Sequence, residues 1–261
     1  MNVSAKHAHL PNLPEILVAG NKYSVKLAST TQDIEAALKL RFDVFNIELG
    51  EGLSSSFHTE MDQDEFDEQC DHLLVIDNSS DQIVGTYRMQ NSSMAAAGNG
   101  FYTNLEYDLT QFPGQILNDS VELGRACIHI NHRNGRVLYL LWRGIAKYIQ
   151  LSGKRFLFGC CSVTSQDPGE GKAFFEHFRN NNYMHPNYLI PVQPVYDCLG
   201  KAESEIHHTE IKIPQLFRLY LDLGSKVCSP PALDTQFKTI DFLILLDIKG
   251  LSENSKALFF R

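Results

Sequence analysis

Residues 121–137, VELGRACIHINHRNGRV, decide the fold. They open as an apolar run of strand character, turn through His132, Arg133, Asn134 and Gly135, and enter a helix near Arg136. That helix, RVLYLLWRGIAKYIQLSG, places Val137, Leu141, Ile145 and Ile149 at fourth-residue spacing and stops at Gly153. A strand, turn and helix in this order leave backbone N–H groups free at the positive end of a helix dipole, where a phosphate can sit. An ordinary connection would look the same, so the turn alone does not decide for a ligand. Glu122 and Arg125 stand inside the apolar strand, and burying either charge alone is costly, so both must be paired or functional. Residues three apart in a regular strand face opposite sides. Gly124 between them is therefore the expected place for a β-bulge that would turn both toward one cleft.

Working outward, residues 155–163, RFLFGCCSV, read as a buried strand after the helix. Residues 167–182 then form a helix opened by Pro and Gly, and residues 188–196, YLIPVQPVY, are extended and broken by prolines. A short amphipathic helix over 213–224 ends at Gly224, and the apolar 239–249, TIDFLILLDIK, returns as a strand inside a sheet. Upstream, residues 23–27 form a short strand. Thr30 caps a helix over 31–49 with Asp33 closing a capping box, and Arg41 lies on its apolar stripe. A guanidinium there is either snorkelling, the commoner case, or reaching for a buried carboxylate. Residues 50–71 are polar and acidic. Residues 73–76 and 83–89 flank NSSDQ as a hairpin, and Arg88 on its second strand wants an acid, with Asp64 and Asp67 the candidates. Residues 92–100 read as a small-residue loop, and 1–22 as a loosely ordered lead-in to one domain over 23–261.

Composition narrows the function classes. The chain of 261 residues carries a net charge of −8, which argues against a nucleic-acid binder. Yet residues 126–166 contain no acid while holding Arg133, Arg136, Arg143, Lys147, Lys154 and Arg155, a local surface for something anionic. The six cysteines show no CxxC spacing and read as buried thiols of a reducing compartment, and the ten histidines form no ligand cluster, so no metal site is expected. No apolar run approaches bilayer length. The expectation is a cytoplasmic protein, at most peripheral to the inner membrane.

The ordered set Arg41 with Phe45, Asp64 and Asp67, Gly85-Thr86-Tyr87-Arg88, and Glu122-Leu123-Gly124-Arg125 resembles the acyl-homoserine-lactone synthases. More closely, RFDVFNIELGEG, DEFDEQCDHLLV, VGTYRM, ELGRACIH, LLWRGIAKY, LFGCCS and the tail from LFRLYLDLG to LILLDI resemble the ornithine N-acyltransferase group, also called haemolysin-like. The resemblance covers roughly residues 27–251. It implies an α/β fold of the acetyltransferase-like (GNAT) kind, a mixed central sheet flanked by helices. It implies transfer of a fatty acyl group from the phosphopantetheine arm of an acyl carrier protein to the amine of an amino acid, with no bound cofactor. Where ordinary acetyltransferases carry Arg/Gln-x-x-Gly-x-Gly/Ala, this chain has His132, Gly135 and Val137, and a carrier-protein donor suits the acid-free basic stretch better than acetyl-CoA.

The expected roles follow. Glu122 is the base and Arg125 its catalytic companion, with backbone N–H groups of 126–128 as oxyanion donors. Arg125, Arg41 or Arg88 would meet the substrate carboxylate. Alternatively Arg41, Phe45, Asp64, Asp67 and Arg88 close the N-terminal loop through an ion-pair network. Cys127, Ile128, Arg133, Gly135 and Arg136 would hold the acyl donor. A synthase of lactone or other N-acyl amino-acid signals, or a non-catalytic haemolysin-like binding module, are the competing readings.

Overall fold

The computed structural model describes residues 14–202 and 211–260. Within them the chain runs β1 (Ile16–Val18), β2 (Tyr23–Leu27), α1 (Thr31–Phe42), a π-helical segment (Asp43–Glu48), β3 (Asp71–Asp77), β4 (Gln82–Asn91), α2 (Ser92–Ala97) and α3 (Gly114–Asn118). It continues through β5 (Ser120–Ile128), α4 (Arg136–Ser152), β6 (Phe156–Val163), α5 (Pro168–Asn180), α6 (Gln215–Asp222), β7 (Lys226–Val227), β8 (Ala232–Asp234), β9 (Thr239–Asp247) and α7 (Glu253–Phe259). Two compact units form. One holds the described residues of 1–100, 123–154 and 253–261, the other those of 101–122 and 155–252.

In the first unit β1 to β4 pair antiparallel in chain order, and the later part of β5 follows β4. All seven residues of β3 are buried, since each face of the strand is covered by a different helix. Leu74 packs with Ile34, Ala37 and Leu38 of α1. Leu73 faces α4, which approaches so closely that a Cβ on Gly144 would lie 2.9 Å from Leu73 Cδ1 and 2.8 Å from Val25 Cγ1. Helix α1 starts as the sequence predicts: Thr30 Oγ1 accepts from Asp33 N at 3.1 Å, and Asp33 Oδ2 accepts from Thr30 N at 3.2 Å. It does not continue as an α-helix to residue 49, because Asp43–Glu48 is wound as a π-helix that buries Val44, Phe45 and Asn46 in succession.

Within the second unit the strand pairing is mixed. Ser120, Val121 and Glu122 of β5 run parallel to Phe156, Leu157 and Phe158 of β6. Strand β6 is antiparallel to β9, which also pairs with β7 and β8. Strand β9 is apolar throughout its middle because both faces are covered. Leu243 and Leu245 join Tyr107, Leu109, Phe112, Phe158 and Ile190, while the Phe242 ring meets Phe174 of α5, Phe178 of α5 and Phe217 of α6.

Several expectations are corrected. Residues 92–97 are a helix and not a loop, because the Asn91 side chain accepts from Ser93 N and Met94 N and three alanines follow. The expected lead-in over 1–22 lies outside the described residues as far as residue 13, and beyond it Ile16 and Val18 pair with β2. The pairs His7/His9 and His207/His208 also lie outside the described residues. Within β5 the residue with positive φ is Arg125, at +50°, and not Gly124. All six cysteines are free, five of them buried. No helix among the described residues is long and apolar enough to cross a membrane.

Candidate active site

Seven charged or titratable side chains, from α1, β3, β4, β5 and the segment before β3, meet inside the first unit. Arg41, in the last turn of α1, is 1 % exposed, so it does not snorkel. Its Nε donates to Asp62 Oδ2 at 2.7 Å, and its Nη1 and Nη2 donate to the two oxygens of Asp67 at 2.6 and 3.3 Å. Arg88 of β4 donates through Nη1 to Asp64 Oδ1 at 2.5 Å and to Asp67 Oδ1 at 3.1 Å. Arg125 of β5 donates through Nη2 to Asp64 Oδ2 at 3.0 Å, and its Nε lies 3.4 Å from Asp62 Oδ2. Three arginines thus face three aspartates, with Arg41 forked onto both oxygens of Asp67, so that the buried charges are compensated in number. The segment carrying the aspartates is pinned further, since Asp67 Oδ2 accepts from Asp64 N at 2.8 Å and Asp64 Oδ1 accepts from Phe66 N at 2.9 Å. Phe45 sits buried on the neighbouring π-helix.

Electrostatics follow from this packing. Burial alone would raise the Asp67 carboxyl, but Arg41 and Arg88 outweigh it and hold it below the usual carboxylate range. Asp64 is lowered in the same way, burial being opposed chiefly by Arg88. Burial lowers His72, and Asp67 beside it only partly restores it. Its Nε2 lies 3.0 Å from Asp67 O, and a carbonyl only accepts, so the proton is on Nε2.

These directions set a pH dependence. Above about pH 6.5 His72 is neutral folded and unfolded; below it the unfolded chain takes up a proton that the folded chain refuses. Stability therefore falls on acidification from about pH 6.5, by up to about 1.4 kcal/mol per pH unit from this one group. The contribution of Asp64 and Asp67 is complete above about pH 4 and is lost as pH falls further. Urea midpoints taken at pH 7.5 and 5.5 should drop for the native chain and drop less for His72→Gln. Equal drops would assign the loss to other groups.

Glu122 belongs to the second unit, and its neighbours there are of a different kind. It is buried, and its two oxygens accept from Thr103 N at 2.7 Å and Tyr102 N at 3.1 Å, both in the single turn Tyr102–Leu105. In the same unit Cys160 Sγ lies 3.7 Å from Glu106 Oε2 and 4.0 Å from Thr103 Oγ1. Burial and the adjacent carboxylates push this thiol well up, so it is no ready thiolate. Glu106, Asp234 and Asp241 bring carboxylate oxygens within 4.8 Å of one another, the one group among the described residues that has the spacing to share a cation.

The expected donor-binding residues lie at the end of β5 and the start of α4. Cys127 is buried and its thiol is raised by that burial. Ile128 O accepts from Arg133 Nε at 3.0 Å, and Arg133 forks onto Glu48. Gly135, at φ +77°, precedes α4, Asn134 Oδ1 accepts from Arg136 N at 3.1 Å, and Arg136 is exposed. Among the expected residues the structure thus joins Arg41, Asp64, Asp67, Arg88 and Arg125 in one network. Asp62 and His72 belong to it and were not anticipated. Asp62 had a signal in the sequence, its place in the acidic run two residues before Asp64. The backbone donors on Glu122 had none.

Comparison with known proteins gives the family. An acetyltransferase (GNAT) domain model matches residues 40–143. An L-ornithine N(alpha)-acyltransferase of Rhodobacter capsulatus is 32% identical over 253 residues, covering 92% of this chain and 95% of the relative. The chain belongs to the L-ornithine N(alpha)-acyltransferase family. A second member of the family, from Brucella abortus, is 31% identical over 87% of this chain and 85% of its own length. Among solved structures, that of the AHL synthase LasI is similar with a TM-score of 0.48 and 12% identity, covering 92% of this chain and 96% of that one. The family membership makes the chain an acyltransferase, and its mixed sheet flanked by helices is the GNAT architecture.

Proposed function

We propose that the chain transfers a long-chain fatty acyl group from an acyl carrier protein to the α-amine of L-ornithine, giving a lyso-aminolipid. The observation that carries this reading is the 32% identity, across nearly the whole of both chains, to a relative named for that acceptor. Glu122 takes a proton from the α-ammonium, directly or through one water. A carboxylate has about four lone-pair sites, so two backbone donors leave it acceptor capacity while fixing its direction. Backbone N–H groups of 126–128 receive the oxyanion that develops as the amine attacks the thioester carbon. The amine nitrogen bonds to that carbon, the thiolate of the pantetheine arm leaves, and the second ammonium proton passes to solvent.

The phosphate of the pantetheine arm is assigned to the turn Arg133, Gly135 and Arg136 at the N-terminus of α4, with Cys127 and Ile128 beside the arm. Exposed Arg136 and Lys147, within the stretch without acids, suit an acidic carrier protein. Arg41, Phe45, Asp64, Asp67 and Arg88 fix the loop and do not contact substrate. The product has one acyl chain and is delivered at the cytoplasmic face of the inner membrane. No metal or bound cofactor takes part.

Mass spectrometry tests this directly. Purified protein incubated with a long-chain acyl carrier protein or the matching acyl-CoA, and a pool of amino acids, should form N-acyl ornithine, faster from the carrier protein. An N-acyl product of another amino acid would replace the acceptor. Equal rates from both donors would remove the carrier-protein assignment, and no product from folded protein would remove the reading.

A further inference from the structure

Five non-glycine residues among those described have positive φ: Glu60, Asp81, Arg125, Asn182 and Lys238. Four lie in turns. Arg125 alone lies inside a strand. The left-handed region is costly for a side chain of this kind, which has no short polar group to bond its own backbone. A glycine stands next door at 124, where an added Cβ would meet nothing within 4 Å, yet the chain does not use it for the kink. Something must over-determine the backbone at 125.

The guanidinium supplies that constraint. It is hydrogen-bonded to Asp64 Oδ2 at 3.0 Å and ion-paired without a hydrogen bond to Asp62 Oδ2, 3.4 Å from its Nε, with its side chain 8% exposed. Asp62, fully buried, is itself fixed by Arg41 at 2.7 Å. Below the kink, β5 follows β6 only as far as Glu122; above it, His129 N donates to Val84 O at 2.9 Å. The kink therefore turns the amides of 126–128 away from the direction that a regular strand would give them.

We infer that Arg125 acts as a positioning residue, its guanidinium tied by Asp62 and Asp64 so that the strand stays kinked and the amides of 126–128 keep their aim, and that Asp62 is a further positioning residue for the same purpose. The inference rests on the proposed role of those amides. It removes Arg125 from the list of groups that meet the substrate carboxylate.

The test compares Arg125→Gly with Arg125→Ala. Glycine adopts positive φ freely and alanine does not, while both lack the guanidinium. With the full chain, an acyl carrier protein donor and ornithine, kcat of Arg125→Gly should exceed that of Arg125→Ala by about 30-fold, which is about 2 kcal/mol at 1.36 kcal/mol per tenfold. The ornithine KM should stay within about twofold of the native value in both. Asp62→Asn should lower kcat in the native background and add little in the Arg125→Gly background. Equally poor Gly and Ala variants with a raised ornithine KM would overturn the inference and make Arg125 a substrate contact. Equal losses from Asp62→Asn in both backgrounds would overturn the role of Asp62. Stability separates this outcome from failure of the proposed reaction: Arg125→Gly should have the higher urea midpoint of the pair whether or not product forms. The reverse order would overturn the kink argument on its own.

Discussion

Glu122→Gln is expected to lower kcat by about two to four orders of magnitude, the usual worth of a positioned general base. The ornithine KM should change little. The structure adds a structural cost to this substitution that the residue type alone does not reveal. Both oxygens of Glu122 accept backbone N–H groups, from Tyr102 and Thr103, and glutamine can present only one acceptor to that pair. The other amide would face an NH₂ group, at about 1–3 kcal/mol. A fall in activity by itself therefore would not separate a base from an anchor. The pH profile does. If Glu122 removes the ammonium proton, the variant should gain about tenfold per pH unit as solution deprotonates ornithine, up to the pKa of the amine itself, because the missing step is then done in advance. A variant that is slow at every pH, with the turn at Tyr102–Leu105 opened as judged by hydrogen exchange of its amides, would make Glu122 an anchor only. Undiminished turnover at neutral pH would discard both roles.

Asp67→Asn is the substitution expected to cost most stability, about 3–5 kcal/mol. Asp67 is the hub of the network in the first unit: it takes a fork from Arg41, a second arginine in Arg88, and the amide of Asp64. Neutralising it leaves Arg41 with Asp62 and Arg88 with Asp64, but the buried set then carries a net positive charge. Urea denaturation at pH 7.5 reads the loss. The companion variant Arg88→Gln and the double variant complete a cycle, and the double should lose clearly less than the sum of the singles, since the second change removes the charge that the first left uncompensated. Strict additivity would mean that the two side chains act independently, and a loss below about 1 kcal/mol would mean that solvent reaches the network.

How much of this the sequence reveals depends on the kind of interaction. Strand, turn and helix across 121–137 follow from apolar spacing, and the helix begins at Arg136 as its pattern says. The hairpin of β3 and β4 and the capped start of α1 are equally local, carried by residues a few positions apart. The ion-pair partners of Arg88 were legible because a charge on a strand face between buried neighbours needs an acid, and the nearest supply was the run holding Asp64 and Asp67. Arg41 went the less common way because its stripe faces that same run. The helix α2 was hidden by composition: serine, alanine and glycine suit a loop equally well, and the deciding group was the cap at Asn91. Strands β7 and β8 are too short to show a period. The positive φ at Arg125 goes with ion pairs to residues some sixty positions away, and the amides holding Glu122 are backbone groups, so neither shows in the residue types nearby.

The π-helical turn at Asp43–Glu48 bears on how chain length can vary here. A π turn holds one residue more than the α turn it replaces, so the segment has the form of a helix that has absorbed an insertion. Removing one residue from it would restore the α ladder with the following chain on nearly the same face, whereas removing one from the regular turns of α1 would swing everything beyond by about 100°. Phe45 would leave the interior, and Glu48 would leave Arg133. Length is thus less constrained in the π turn than in α1 before it, and a one-residue gap placed there in comparing two such chains leaves the faces of the first helix unchanged.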